Sequence, residues 1–273
     1  MIHAFAIAES IVAPTLFRPE FSHSLDPKLT VLIGLQSRKM RFNMLLIGSI
    51  CGDNQIVFPR DLHKNGFVFL PQFQPHETAS FVAASIGTIA ELPGVSVTQR
   101  IRPKRTNESI PNLYSGNFGL DEFPLHTDLA HWYLPPRYLL LRCVCPAPEV
   151  NTLILHNDKA LCGFDQLTLD RAFYRPRRKL SGRLSLLRLH QNFMDGFIFR
   201  WDQLFLKPAN DEGALVANQL KSPSLREEAT RISFNYTFDT LIVDNWAVLH
   251  GRSPVPKTAL SRVVDRVYLK EIR

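Results

Sequence analysis

Thr240-Leu-Ile-Val-Asp-Asn-Trp-Ala-Val-Leu-His-Gly-Arg252 holds two short apolar runs on either side of Asp244-Asn245. Asp and Asn tolerate the backbone of a tight turn, and runs this short have the length of strands rather than helices. The stretch predicts two strands, Thr240–Val243 and Trp246–Leu249, joined by a compact turn. Outward from it, Tyr138-Leu-Leu-Leu-Arg-Cys-Val-Cys145 reads as a buried strand closed by Pro146-Ala-Pro148. Thr152–His156, Phe197–Trp201 and Arg262–Leu269 read in the same way. Upstream, Asn65-Gly66 is a turn signal before a strand at Phe67–Leu70. A helix is expected next: Pro75 suits a first turn, Glu77 favours the positive dipole end, and Val82, Ile86 and Ile89 recur at helical spacing up to Pro93-Gly94. Short strands with tight turns after a partly helical start argue for a mainly β fold with flanking helices, a double-sheet jelly roll or double-stranded β-helix.

The chain has 273 residues, 45% of them hydrophobic, enough for one large core. A single domain over 1–273 is expected. Residues 1–60 would be an extension whose strands, Val31–Leu35 and Met44–Ile47, pack on the core. Residues 95–125 are polar, carry Pro103 and Pro111, and hold Arg100, Arg102, Lys104 and Arg105. They read as a long loop bordering an active site. Asn157 or Asp158 is expected to cap one helix with a Leu161, Phe164, Leu167 stripe. The basic run 175–188 reads as a solvated helix face, residues 208–230 as helical or irregular, and Arg200 either as a site arginine or, the favoured reading, as the partner of Asp202 in an ion pair within a sheet.

The net charge of +7 is compatible with nucleic acid, a membrane surface or an anionic small molecule as partner. No stacking-aromatic or recognition-helix pattern accompanies it, which argues against nucleic acid. The longest apolar runs are too short to span a bilayer. The first residues lack a basic segment and are interrupted by Glu9, so no secretory signal is read. Cys51, Cys143, Cys145 and Cys162 form no CxxC pair, and Cys143 and Cys145 would face the same way on one strand. Reduced thiols and a cytoplasmic setting are expected.

The chemistry-bearing residues are His126-Thr-Asp128 and, far downstream, His250. In an extended segment His126 and Asp128 point to one side and Thr127 to the other. Two imidazoles and one carboxylate are the ligands that hold ferrous iron on one triangular face and leave the opposite face open. Arg262 and Arg266 follow His250 closely, and arginine grips a carboxylate through two parallel hydrogen bonds.

Phe123-Pro-Leu-His-Thr-Asp-Leu-Ala130 through Leu134-Pro-Pro-Arg-Tyr-Leu-Leu-Leu-Arg-Cys143 resembles the first metal motif of the taurine dioxygenase-like group of iron(II)/2-oxoglutarate oxygenases. Asp244-Asn-Trp-Ala-Val-Leu-His-Gly-Arg252 is similar to that family's distal-histidine motif, and Ser261-Arg-Val-Val-Asp-Arg266 to its arginine pair. Asn151-Thr-Leu153 resembles the segment whose threonine contacts the co-substrate, and Asn65–Leu70 its early strand. The resemblance runs in order over roughly residues 60 to 273.

The resemblance implies that His126, Asp128 and His250 bind Fe(II). It implies that Arg266, helped by Thr152, pairs with the distal carboxylate of 2-oxoglutarate, and that Arg262 touches the co-substrate or an anionic substrate. Reaction with O2 would then release succinate and CO2 and hydroxylate an unactivated C–H bond. The carboxylate ligand Asp128 fills the place a halide would need, so hydroxylation is expected over halogenation. Desaturation and epoxidation stay open. Tyr114, Asn117, His131 and Trp132 are expected around the substrate. Residues 175–235 show no substrate motif and 95–125 match only in the character of Tyr114–Gly119, so taurine itself is not implied. The arginines around the mouth point to a small carboxylate-bearing metabolite, such as an amino acid or biosynthetic intermediate. The alternatives are a metal-binding jelly roll without oxygenase activity, such as a cupin-like isomerase or a degenerate binding protein, and a basic nucleic-acid-binding protein.

Overall fold

Tyr138–Cys145 lies at the centre of the structure, a computed structural model that describes residues 58–179, 182, 185–194 and 196–273. All of them fall in one compact unit. The strands expected at Val31–Leu35 and Met44–Ile47 lie outside the described residues, as do Cys51 and the single-domain reading of the chain's beginning. Only the last positions of the expected 1–60 extension are described, and they open a helix rather than a strand.

In chain order the first elements are α1 (Phe58–Asn65), β1 (Phe67–Leu70), α2 (Ala79–Ile86), β2 (Gly87–Ile89) and β3 (Gln99–Ile101). Next come α3 (Tyr114–Phe118), β4 (Phe123–His126), β5 (Tyr138–Cys145), β6 (Asn151–His156), α4 (Asn157–Ala160) and α5 (Gln166–Arg171). An insertion follows: β7 (Phe173–Pro176), β8 (Leu187–Arg188), β9 (His190–Phe193), β10 (Gly196–Phe199), β11 (Leu206–Pro208), α6 (Asp211–Leu220) and α7 (Ser224–Glu227). The chain closes with β12 (Thr230–Ser233), β13 (Thr240–Asp244), β14 (Val248–Arg252) and β15 (Val263–Ile272).

Two antiparallel sheets carry the fold, one ordered β1-β13-β5-β15-β2 with β3 also on β15, the other β12-β6-β14-β4. This is the expected jelly roll. Alternation along β5 shows why its sequence is apolar throughout. Leu139, Leu141 and Cys143 face the second sheet and pack with Leu241, Val243, Val248 and Ile154. Tyr138 and Leu140 face the other way, under α1 and α2, against Leu62, Val82 and Ile86. A strand buried on both faces gives up its polar alternation. The outer face of the smaller sheet, Leu125, Leu153, Leu155 and Leu249, is covered by α5, α6 and the insertion. Each fully buried aliphatic side chain stabilises the sandwich by about 1.5–3 kcal/mol.

Several expectations need correction. The helix α2 starts after Thr78, whose hydroxyl accepts from Phe81 N at 3.2 Å, and stops at Gly87. Ile89 belongs to β2, because a Cβ at Gly87 would meet Glu271 O at 2.1 Å and only glycine lets β2 join the sheet edge. The 95–125 segment is not a plain loop: it contains β3 and α3. The helix expected after residue 157 is two, the second capped by Asp165, and Leu167 is exposed. The basic stretch from 175 begins as β7 and contains no helix among its described residues. Arg200 and Asp202 do not pair. The Arg200 guanidinium donates to the carbonyls of Trp132 and Tyr133 and to Gln191 Oε1. Among the described residues no helix is long and apolar enough to cross a membrane.

Candidate metal centre and its cavity

The ends of β4 and β14 bring the two histidines together. The strands pair antiparallel with His250 opposite His126. Pleating turns Leu125 and Leu249 outward, so both imidazoles face the space between the sheets. Gly251 permits the close approach, because a Cβ there would come within 2.7 Å of Phe123 O. Asp128 sits in the turn after β4, and Thr127 points away to Trp201, as expected.

The three side chains converge. His126 Nδ1 lies 2.8 Å from Pro124 O, so that nitrogen carries the proton and donates it, leaving the Nε2 lone pair free. His126 Nε2 and His250 Nε2 lie 3.5 and 3.6 Å from the same oxygen, Asp128 Oδ1. Those distances are too long for good hydrogen bonds. One ligand atom from each of the three residues lies within 4.8 Å of the others, and all three residues are buried. Three converging donors of the two-imidazole, one-carboxylate kind fit a ferrous ion.

The second carboxylate oxygen is held from the other side. Asp128 Oδ2 accepts from Arg266 Nη1 at 2.7 Å and from Tyr268 Oη at 2.9 Å. Burial opposes the Asp128 charge, but Arg266 and the two imidazoles hold its carboxyl well below the usual range. Arg266 also donates to Gln99 Oε1 at 2.6 Å. The backbone of Asp128 is clamped by Asn245, to which its N–H donates at 2.7 Å.

A cavity of about 600 Å³ opens over the centre. Of the residues expected around it, His126, Asp128, His250, Thr152, Arg262, Arg266, Tyr114 and His131 line it. The Tyr114 ring stacks on His126 with centroids 4.3 Å apart. Asn117 and Trp132 do not line it, and the Asn117 amide is spent on the carbonyls of Pro111 and Leu113. Of the expected basic rim, Arg100 is tied to Asp265 at 2.9 Å, and the Arg105 backbone to Glu108.

Arg262 differs from its neighbours. It is 7% exposed and, among the described residues, makes no ion pair and has no hydrogen-bond partner for its buried Nε. Burial lowers its pKa. Arg252, by contrast, stacks 3.7 Å over Phe123 and donates to the carbonyls of Gly119 and Asp121. Sequence reasoning missed Asn245 and Tyr268, and it read Asp202, which lines the cavity, only as a partner of Arg200. Asn245 was legible only as a turn residue, and Tyr268 stands two positions after Arg266, a spacing that puts it on the same face.

No family model matches the chain, and no curated protein matches it. Among solved structures it is similar to an asparagine oxygenase, at 17% identity over 77% of this chain and 75% of that one, with a TM-score of 0.59. It is similar to the PvcB protein from Pseudomonas aeruginosa, at 17% identity over 76% and 77% of the two chains, TM-score 0.55. It is also similar to the non-heme iron oxygenase OrfP in complex with Fe, at 16% identity over 78% and 77%, TM-score 0.52. At these identities the likeness establishes the shared jelly-roll fold.

Proposed function

We propose that this protein is an iron(II)- and 2-oxoglutarate-dependent oxygenase that hydroxylates an unactivated C–H bond of a small amino-acid-like metabolite. The observation that carries the reading is the pairing of a two-histidine, one-aspartate centre with Arg262, a buried cation without an acid among the described residues, in one cavity. A buried charge without a partner is costly, and a carboxylate ligand removes that cost. An asparagine oxygenase of the same fold holds Fe(II), hydroxyasparagine and succinate, at 16% identity and a TM-score of 0.56, which favours an amino acid over other metabolites.

His126, Asp128 and His250 would hold the iron. The metal, 2-oxoglutarate and O2 together supply an oxidant strong enough for C–H bonds, with succinate and CO2 as by-products. Arg262 is proposed as the main clamp for the distal carboxylate of 2-oxoglutarate, with Thr152, 4% exposed in the same cavity, beside it. Arg266 takes the supporting role. Together with Tyr268 it occupies Asp128 Oδ2 and leaves Oδ1 as the donor facing both imidazoles. The Pro124 carbonyl fixes the His126 tautomer. The apolar rings of Tyr114, Phe123 and Phe205 line the cavity and limit water there. Proposed partners are small molecules, and the free thiols of Cys143, Cys145 and Cys162 agree with a cytoplasmic setting.

The test is succinate formation from 2-oxoglutarate under air by the Fe(II)-loaded protein. Metal-dependent succinate that falls in Arg262→Met at low 2-oxoglutarate supports the reading. A folded, iron-loaded protein that neither binds 2-oxoglutarate nor forms succinate would be a metal-binding jelly roll of another kind.

A further inference from the structure

Among the described residues, Asp202 and Asp128 are the two carboxylates that line the cavity, and the metal centre uses only Asp128. Asp202 is 2% exposed. Its Oδ1 accepts from Leu204 N at 2.7 Å and Phe205 N at 2.8 Å, which fixes the direction of the carboxylate. Among the described residues no cation pairs with it. The nearest candidate in sequence, Arg200, is committed to carbonyls and Gln191. A buried carboxylate that is neither paired nor coordinated to a metal is rare and unfavourable.

The surroundings of Asp202 are polar in one direction only. The Tyr114 hydroxyl lies beside it and is raised well above the usual tyrosine value, chiefly by burial and then by the Asp202 charge. His131 Nδ1 is buried without a hydrogen-bond partner among the described residues. The Tyr114 and His131 rings both lie against Phe205, with centroids 5.9 and 5.1 Å away. Asp202, Tyr114 and His131 thus offer a carboxyl group, whose pKa burial raises, and two neutral acceptors at one end of the cavity. Arg262 has other neighbours, Phe234 and Cys143. Among the described residues, one cavity therefore holds a buried cation without an acid and, elsewhere on its wall, a buried carboxyl group with no basic neighbour but the His126 imidazole. 2-Oxoglutarate can satisfy only the cation.

We propose that Asp202, with the Tyr114 hydroxyl and His131 Nδ1, binds a protonated amine of the substrate and makes that charge a requirement for entry. An ammonium presents three donors, matching three acceptors. Arg102 and Lys104, exposed on the cavity wall, leave room for an anionic group on the same molecule, and an amino acid carries both charges. The proposal rests on the oxygenase reading.

The experiment uses the full chain with Fe(II) and 2-oxoglutarate under anaerobic conditions, where an iron–keto acid chelate absorbs in the visible. The probes are the common L-amino acids and the analogues in which hydroxyl replaces the amine. At least one amino acid is expected to perturb the band, and its hydroxyl analogue to bind about 100-fold more weakly. Asp202→Asn keeps the Oδ1 acceptor for Leu204 and Phe205, so the fold and the band should persist while that amino acid weakens by a similar factor. Asp202→Glu should recover part of the loss. An intact band that no amino acid perturbs, an analogue that binds equally well, or an unchanged affinity in Asp202→Asn would overturn the proposal. No band at all in the wild-type chain would overturn the oxygenase reading, and this proposal with it.

Discussion

Asn245 grips the backbone of Asp128 from both sides: its Oδ1 accepts from Asp128 N at 2.7 Å, and its Nδ2 donates to Asp128 O at 2.9 Å. A third bond runs from Nδ2 to Pro136 O at 3.0 Å. The turn between β13 and β14 thereby fixes the turn after β4, and both turns carry the centre's geometry.

Asn245→Ala should unseat Asp128. Each buried backbone group left unpaired costs about 1–3 kcal/mol. Thermal melting of the apo-protein should fall, and Fe(II) affinity should drop about 10–100-fold, as for other residues that orient a ligand. Calorimetric Fe(II) titration with unchanged affinity would contradict the role.

Arg262 and Arg266 should respond in opposite ways. Arg262→Met removes a lone buried charge, so the apo-protein should melt no lower than wild type, while 2-oxoglutarate binding weakens about 100-fold. Arg266→Met strips Asp128 of its ion pair and should cost the apo-protein on the order of 3 kcal/mol. Melting curves and 2-oxoglutarate titrations of both variants separate the roles, and reversed outcomes would return the clamp to Arg266.

Gly251→Ala tests the contact between the histidine strands. The added methyl would stand 2.7 Å from Phe123 O, so β4 must move off β14 and carry His126 away from His250. Strain of this kind costs about 1–3 kcal/mol. A lower melting temperature with weaker Fe(II) binding is expected, and a wild-type affinity would show that the strands tolerate the shift.

Thiol chemistry should separate the cysteines. Burial pushes the Cys143 thiol up to about 12, so at pH 8 only about one molecule in ten thousand carries the thiolate. Cys162 is exposed. Iodoacetamide followed by peptide mapping should modify Cys162 and spare Cys143 until the protein is denatured.

The residues that declared the fold were those whose pattern is local. The eight-residue run of β5 and the Asp244-Asn245 turn could be read directly, because double-sided burial and turn chemistry write themselves into adjacent positions. The His-x-Asp segment, His250 and the later arginines were read through the resemblance of their surroundings to the oxygenase motifs, since His-x-Asp alone arises by chance in a long chain. What stayed hidden depends on distant partners. β3 was masked by its polar, proline-bearing surroundings, since its reason to be a strand is β15 more than 160 positions later. Ile89 continued a helical spacing that Gly87 had already broken. Asp202 looked like the mate of Arg200, two positions away, until the fold turned the guanidinium to the Trp132 loop. Spacing likewise could not tell which arginine Asp128 would take, and that choice decides which is free for a ligand.

The most direct test is an anaerobic titration of metal-free protein with Fe(II) and 2-oxoglutarate, followed by visible absorption. A charge-transfer band that is lost in His126→Ala and demands far more 2-oxoglutarate in Arg262→Met is the expected result. A folded protein that binds iron and shows no band at saturating 2-oxoglutarate would contradict the account.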